Sequence, residues 1–207
     1  MSEIVRPSEI ERESFRIIGE GLKGRAFDKD HEDIIKRAIH TSADFDYADN
    51  LVFSENAVEI MVSALKRGAC IVTDTKMAYS GINKKILNDL GGEAFCFISD
   101  EDVAKEAEAR EITRSMAAVE KAAKLNRELI FAVGNAPTAL IKINELYRLG
   151  RLRPVGVIGV PVGFVNVVES KELIIGSDIP HIVARGNKGG SNIAAAVCNA
   201  LLYKIKR

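Results

Sequence analysis

The sequence predicts an α/β fold, a single-domain three-layer α/β/α sandwich over residues 1–207 with a mainly parallel sheet of about five strands. Two observations predict this fold class. Short apolar runs alternate with helical patterns, and no repeat or low-complexity linker divides the chain. The hydrophobic content of 47% is also sufficient for one sizeable core.

Five runs of nearly continuous apolar residues are typical of strands that a parallel sheet buries on both faces. The runs are Ala69–Thr73, Ala94–Ile98, Leu129–Val133, Val155–Val160 and His181–Ala184. In such sheets, ligands bind beyond the carboxyl ends of the strands. We therefore expect the functional site in the loops that follow these runs.

Three helices have recognisable ends in the sequence. Ser54 is predicted to cap a helix that ends before Gly68. Pro137 fits the first turn of a second helix, which ends before Gly150. The last helix is predicted to begin near Ser191 and to carry its apolar residues along one face. Helices that alternate with strands in this way connect the strands of a parallel sheet.

The charge balance excludes several classes of protein. The chain has 29 basic and 29 acidic residues, whereas nucleic-acid binding usually requires a basic excess. No apolar stretch reaches the roughly 20 residues of a membrane span, and the N-terminus does not resemble a secretory signal. We therefore expect a cytoplasmic protein with no nucleic-acid or membrane partner.

The sequence also lacks the motifs of metal and nucleotide sites. The cysteines are far apart, and no histidine or cysteine pair has metal-ligand spacing. The order Gly156-Val157-Ile158-Gly159 breaks the dinucleotide-binding fingerprint, and there is no phosphate-binding P-loop. We expect neither a metal nor a cofactor.

Three loops after the predicted strands have the composition of anion-binding loops: residues 134–138, 159–163 and 185–191. Glycine allows a ligand to approach the backbone, and N–H groups at a helix start attract carboxylates. Arg185 and Lys188 add positive charge to the third loop. Glycines that only permit tight turns are the alternative for each loop. Three such loops at one sheet edge favour a large anionic ligand.

His40 is the candidate catalytic residue among three histidines. In a helix over residues 33–40, the buried stripe consists of Ile34, Ile35, Ala38 and Ile39. His40 then projects away from this stripe, on the side of Lys36 and Arg37. His181 begins a buried run and is interpreted as structural, and His31 as a surface residue at a helix start.

Six segments together resemble the precorrin-8X methylmutase family, which includes cobalt-precorrin-8 members from the anaerobic route to vitamin B12. They occur in the family's order along almost the whole chain. The segments are Ser14–Ile18, Ile39–Phe45, Gly134–Leu140, Gly159–Val165, Glu169–Glu172 and Arg185–Ser191.

The resemblance implies a homodimer with sites formed by both subunits, and a reaction in which the ring-C methyl group of a corrinoid migrates from C-11 to C-12. His40 corresponds to the family's catalytic histidine and is expected to act as general acid/base without a cofactor. The candidate substrate-binding residues are Ser14, Arg16, Arg37, Thr41, Arg114, Gly134, Asn135, Arg185 and Lys188. Asn187 stands where many members carry an arginine, and residues 164–168 favour the cobalt-containing substrate.

Alternative functions stay open at this point. A corrinoid or tetrapyrrole carrier would bind the pigment without converting it. A nucleotide-dependent α/β enzyme would be stabilised by its nucleotide. Acyl transfer through Ser14 and His40 is the least favoured alternative, because no GxSxG elbow surrounds any serine.

Overall fold

The computed structural model describes residues 7–206, with side chains from residue 9 onward. Its centre is a six-stranded sheet with the order β1-β6-β5-β4-β2-β3. The strands are β1 (Leu51–Phe53), β2 (Cys70–Thr73), β3 (Ala94–Phe95), β4 (Leu129–Val133), β5 (Gly156–Gly159) and β6 (His181–Ala184). Strands β2 to β6 are parallel, and β1 pairs with β6 in the antiparallel sense.

Helices precede, connect and follow the strands. They are α1 (Pro7–Gly21), α2 (Lys29–Ser42), α3 (Tyr47–Asn50), α4 (Ala57–Lys66), α5 (Lys76–Gly81), α6 (Lys84–Asp89), α7 (Glu101–Ala109), α8 (Arg114–Ala122), α9 (Pro137–Arg148), α10 (Val167–Ile175) and α11 (Ser191–Tyr203). The order of strands and helices confirms the predicted α/β fold class.

Side chains of β4 show how the sheet separates two helical layers. Leu129, Phe131 and Val133 pack with α8, α9 and α10. Ile130 and Ala132, which point to the other face, pack with α1 to α6 and α11. Both faces are therefore covered, and this is why the strands appear in the sequence as unbroken apolar runs.

All five predicted strands are present, and the ends of Leu129–Val133 and His181–Ala184 agree with the prediction. The run Ala94–Ile98 forms a shorter strand, because only its first two residues pair with β2 at the sheet edge. The sixth strand, β1, was not predicted. It has three residues and pairs only with β6, so it is too short to show a periodic pattern.

The predicted cap at Ser54 is wrong. Helix α4 begins at Ala57, after Asn56 in a left-handed conformation. The Ser54 hydroxyl instead accepts a hydrogen bond from the His181 N–H at 2.9 Å, which joins the end of β1 to β6. The predicted boundaries at Gly68, Pro137, Gly150 and Ser191 are confirmed.

Two further observations concern residues 7–206. None of their helices combines the length and apolar character needed to cross a membrane. Their His, Cys, Asp and Glu side chains form no group of three that could hold a metal ion.

Candidate functional site

A cleft of about 330 Å³ lies between α2 and two helices that follow the carboxyl ends of β2 and β6. It is lined by Arg37, His40 and Thr41 from α2, Met77 and Gly81 from α5, and Asn192, Ala195, Ala196 and Asn199 from α11. The starts of α5 and α11 place this cleft at the carboxyl edge of the sheet, where ligands of parallel α/β folds bind.

His40 lies in the last turn of α2 and is exposed to the cleft. The neighbouring residues Ile34, Ile35, Ala38 and Ile39 are buried, as the helical spacing predicts. The imidazole stacks on the ring of Phe15 from α1, with 5.3 Å between the ring centroids and an interplanar angle of 28°. One face of the imidazole is therefore supported by an aromatic ring, while the side chain stays accessible to a ligand.

Arg37 joins α2 to two aromatic rings beside His40. Its guanidinium lies 5.1 Å from the centroid of Phe15 and 4.7 Å from that of Tyr203. It also pairs with Glu11 at 2.9 Å. A ligand carboxylate that binds Arg37 therefore competes with this glutamate. Thr41 is exposed and lines the same cleft.

The predicted anion-binding loop at Gly134 does not present its N–H groups to a ligand. The N–H groups of Gly134, Asn135 and Ala136 donate to the carboxylate of Asp74 at 2.9, 2.7 and 2.7 Å. Asp74 is buried, and loss of solvent raises its pKa despite these three hydrogen bonds. The Asp74 carboxylate thus binds the three N–H groups that the sequence analysis assigned to an anionic ligand.

The glycines of these loops allow the loops to contact one another. A Cβ atom on Gly134 would lie 2.7 Å from the Cα of Ser191, and one on Gly189 would lie 2.1 Å from the carbonyl oxygen of Val160. The hydroxyls of Thr75 and Ser191 are 2.7 Å apart. Close approach between loops therefore explains these two glycines.

Two lysines hold the loop after β6. Lys171 binds its backbone, and Lys188, which belongs to the loop, binds the segment after α2. Lys171 is fully buried, and its Nζ donates to the carbonyl oxygens of Gly186 and Lys188 at 2.6 and 2.8 Å. Burial lowers the pKa of Lys171 to about 8. The Nζ of Lys188 donates to Asp44 and Asp46 at 2.5 and 2.6 Å, and this contact holds the pKa of Asp44 below its usual value.

Arg16 and Arg185 are engaged in exposed ion pairs. Arg16 donates to Glu13 and Glu20, one turn before and one turn after it on α1. Arg185 donates to Glu172 at 2.9 Å. Neither arginine lines the cleft of His40.

Arg114 lies at a different cleft. It is the first residue of α8 and, with residues of α7, lines a space of about 660 Å³. The adjacent Thr113 hydroxyl is 2.9 Å from that of Thr138, at the start of α9. The structure therefore places Arg114 beside the loop after β4 and outside the cleft of His40.

Comparison with known proteins identifies the family of this chain. The family model described as precorrin-8X methylmutase matches residues 9–204. The chain belongs to the precorrin-8X methylmutase family. A cobalt-precorrin-8 methylmutase of Salmonella typhimurium is 48% identical over 100% of this chain and 99% of that protein. One of Leptospira interrogans is 41% identical over 93% and 91% of the two chains.

Solved structures of the methylmutase family share the fold. The crystal structure of a precorrin-8X methylmutase from Thermus thermophilus superposes with a TM-score of 0.85 and 38% identity, covering 94% of this chain and 96% of that one. A precorrin-8X methylmutase related protein superposes with a TM-score of 0.83 and 28% identity, covering 92% and 100%. The α/β sandwich of this chain is thus the fold of the methylmutase family.

Within this methylmutase fold, only part of the predicted set shares one cleft. Those lining it are His40, Arg37 and Thr41. Ser14 is half-buried on α1, next to the ring that stacks on His40. Gly134, Asn135, Arg185 and Lys188 lie on loops at the same sheet edge. Arg114 lies beside the loop after β4 but lines a different cleft, and Arg16 lies on α1 in ion pairs with Glu13 and Glu20.

Several residues of the site were not predicted. Asp74 and Lys171 hold the loops, and Met77, Asn192 and Asn199 line the cleft. An aspartate at the carboxyl end of a predicted strand was the available signal for Asp74. Asn187 donates from its side chain to the carbonyl oxygen of Gly163 at 2.7 Å. It therefore bonds to the loop after β5.

Proposed function

We propose that this chain isomerises a corrinoid by moving the ring-C methyl group from C-11 to C-12, with His40 as general acid/base. The observation that carries this proposal is the exposed imidazole in a cleft at the carboxyl edge of a methylmutase fold. Cobalt-precorrin-8 is the proposed substrate and cobyrinate the product. The relatives at 48% and 41% identity, both named cobalt-precorrin-8 methylmutases, support the cobalt-containing form.

Proton transfer is the contribution that we assign to His40. An imidazole can donate and recover a proton near neutral pH. A proton delivered to the ring-C region makes the conjugated system electron-poor, which favours migration of the methyl group. The bond from C-11 to the methyl carbon breaks, the bond to C-12 forms, and the proton returns to His40. The reaction therefore consumes no methyl donor and no redox partner.

The acetate and propionate groups of the corrinoid need local partners, because the protein has no net charge. Helix α11 begins at the cleft without a side-chain cap, so its first N–H groups can bind a carboxylate. Arg37 supplies a cation in the same cleft. We expect Arg185 to bind a further carboxylate by exchanging its present partner Glu172. Lys188 is expected to bind one with its third ammonium N–H while it keeps Asp44 and Asp46.

The role of His40 is tested with His40→Ala in the full-length protein. Conversion of cobalt-precorrin-8 is followed by its absorption spectrum and by mass, which an isomerisation leaves unchanged. General acid/base catalysis contributes about 100- to 10,000-fold, so we expect kcat to fall by that factor with binding retained. Near-normal turnover in this variant would exclude His40 from the chemistry. A wild-type protein that binds the pigment without a spectral change would be a carrier.

His31→Ala is the matched control for this experiment. His31 lies in the first turn of the same helix, nine residues or about 13 Å before His40. Its ring stacks on Phe53 at 3.9 Å and does not line the cleft. We expect this variant to keep wild-type kcat.

We also propose that the enzyme is a cytoplasmic homodimer whose partner subunit covers part of the substrate. The cleft of about 330 Å³ is small for a corrinoid with its side chains. Phe164 and Val165, in the loop after β5, are 90% and 78% exposed, and Met77 in the cleft is 71% exposed. Apolar side chains exposed near a site are typical of an interface. Light scattering should give twice the 22.6 kDa of one chain, and the mass of a single chain would contradict the proposal.

A further inference from the structure

Lys171 is the one fully buried lysine in the described part of the chain, and its charge is not matched by a carboxylate there. It lies in the middle of α10 with an exposed fraction of 0%. Its Nζ donates to two backbone carbonyl oxygens, those of Gly186 at 2.6 Å and Lys188 at 2.8 Å. The ammonium group is therefore placed under the loop that follows β6.

An apolar side chain at this position would avoid the free-energy cost of burying a charge. Removing an ammonium group from water is unfavourable unless hydrogen bonds or an opposite charge compensate. Here only neutral carbonyl groups do so, and burial lowers the pKa of the lysine to about 8. A buried charge that carries this desolvation cost is best explained by the loop that it holds in place.

The loop that Lys171 holds is connected to the helix of His40. Lys188, whose carbonyl accepts from Lys171, donates through its own side chain to Asp44 and Asp46. These aspartates follow directly after α2, which carries His40 in its last turn. The path from Lys171 to the end of α2 thus consists of four hydrogen bonds and one short loop.

The same loop also fixes its neighbour after β5. The Asn187 side chain donates to the carbonyl oxygen of Gly163 at 2.7 Å, and the Gly163 N–H donates to the carbonyl oxygen of Asn187 at 3.1 Å. Two of the loops at the carboxyl edge therefore depend on the conformation of residues 186–188.

We propose that Lys171 is a positioning residue for the methyl migration, which fixes residues 186–188 so that Lys188 holds the end of α2 and with it His40. The inference rests on the proposed function, because it assumes that the reaction takes place at His40. Lys171 does not line the cleft of His40.

The kinetic test compares Lys171→Met with Lys142→Met. Lys142 is also a buried lysine, but its Nζ pairs with Glu120 and Glu145 on α8 and α9, away from the loops. With cobalt-precorrin-8, we expect Lys171→Met to lower kcat about 10- to 100-fold, as a misplaced catalytic group does, and to change KM by less. Lys142→Met should keep kcat within about twofold. Equal kcat values in the two variants would overturn the proposal.

Hydrogen exchange tests the connection without substrate. In Lys171→Met, we expect the backbone amides of residues 43–46 to exchange about tenfold faster, together with those of residues 186–190. Lys142→Met should leave both segments unchanged. Unchanged exchange at residues 43–46 in Lys171→Met would contradict the path, whether or not the protein isomerises corrinoids. Lack of turnover in the wild-type protein would instead contradict the proposed function.

A double variant tests whether Lys171 acts through Lys188. If both residues act along one path, Lys171→Met with Lys188→Met should lower kcat no further than Lys188→Met alone. If the fold-losses in kcat of the two single variants multiply in the double variant, Lys171 does not act through Lys188. If Lys171→Met does not fold, Lys171→Gln replaces it, since the amide can donate to one of the two carbonyls and should lose less activity than Met.

Discussion

Two loops at the same edge of the sheet are held by buried ionisable side chains of opposite sign. Asp74 accepts from three N–H groups of the loop after β4. Lys171 donates to two carbonyl groups of the loop after β6. Each side chain satisfies the backbone groups that its neighbouring loop leaves without a partner in helix or sheet.

The difference between the two loops lies in how each charge is compensated. Burial shifts both pKa values toward the neutral form, upward for Asp74 and downward for Lys171. The carboxylate of Asp74 accepts three hydrogen bonds, whereas the ammonium group of Lys171 donates two, both to neutral carbonyl groups. Hydrogen bonds thus compensate the charge of Asp74 more fully than that of Lys171, which retains more of its desolvation penalty.

The largest effect is expected for Asp74→Ala. It leaves three N–H groups of the loop after β4 without their acceptor, one of them buried and two part-buried. An unsatisfied buried donor costs about 1–3 kcal/mol. We expect the free energy of unfolding, measured with urea, to fall by about 3 kcal/mol or more. Asp89→Ala is the control, since Asp89 pairs with Lys206 at the surface and should change stability by less than about 1 kcal/mol. Similar losses in the two variants would contradict this account of the loop.

The pH dependence of stability should distinguish the lysine loop. In the unfolded chain Lys171 keeps its proton up to about pH 10.5, whereas in the folded protein it releases the proton near pH 8. Between these values unfolding takes up a proton, so the free energy of unfolding rises with pH. The wild-type protein should gain roughly 3 kcal/mol at most over Lys171→Met from pH 8 to 10.5, at about 1.4 kcal/mol per pKa unit. A difference that does not change with pH would exclude a lowered pKa for Lys171.

Asp74 and Lys171 also show what could and could not be predicted from the sequence. The runs at Leu129–Val133 and His181–Ala184 were predicted correctly, because burial on both faces leaves apolar residues at every position except His181. The loops were recognised by their glycines, but the groups that bind their backbones were not. Asp74 is 60 residues before Gly134, so no local spacing connects them.

The ion pairs of Arg16 follow from local spacing in the sequence, whereas the positions of the other arginines do not. Glu13 and Glu20 stand three and four residues from Arg16, the spacing of helical ion pairs, so a partner for Arg16 within α1 was predictable. Arg114 and Arg185 differ, because their positions depend on how α7, α8 and α10 pack. The presence of arginines in the sequence indicated an anionic ligand. Which arginine lies near the cleft of His40 became known only from the fold.

Lys171→Met at neutral pH should have a smaller effect than Asp74→Ala. Two carbonyl groups lose their donor, but the removal of a buried charge offsets part of this loss. We expect the free energy of unfolding to fall by about 1 kcal/mol in urea at pH 7. A loss as large as that of Asp74→Ala would show that the two loops are held with equal strength, and that the charge of Lys171 is compensated as well as that of Asp74.

The smallest effect on stability is expected for Arg185→Ala, in the same loop as the carbonyls that Lys171 binds. Arg185 pairs with Glu172 at the surface, and exposed ion pairs contribute about 0–1 kcal/mol. Its effect should instead appear in KM for the corrinoid, because a substrate carboxylate can replace Glu172. The KM difference from wild type should shrink as salt is raised toward 1 M, where the Debye length falls to about 3 Å. A KM that equals the wild-type value at low salt would show that Arg185 does not bind the substrate. The loop after β6 would then contribute to the reaction through the backbone contacts of Lys171 and not through the charge of Arg185.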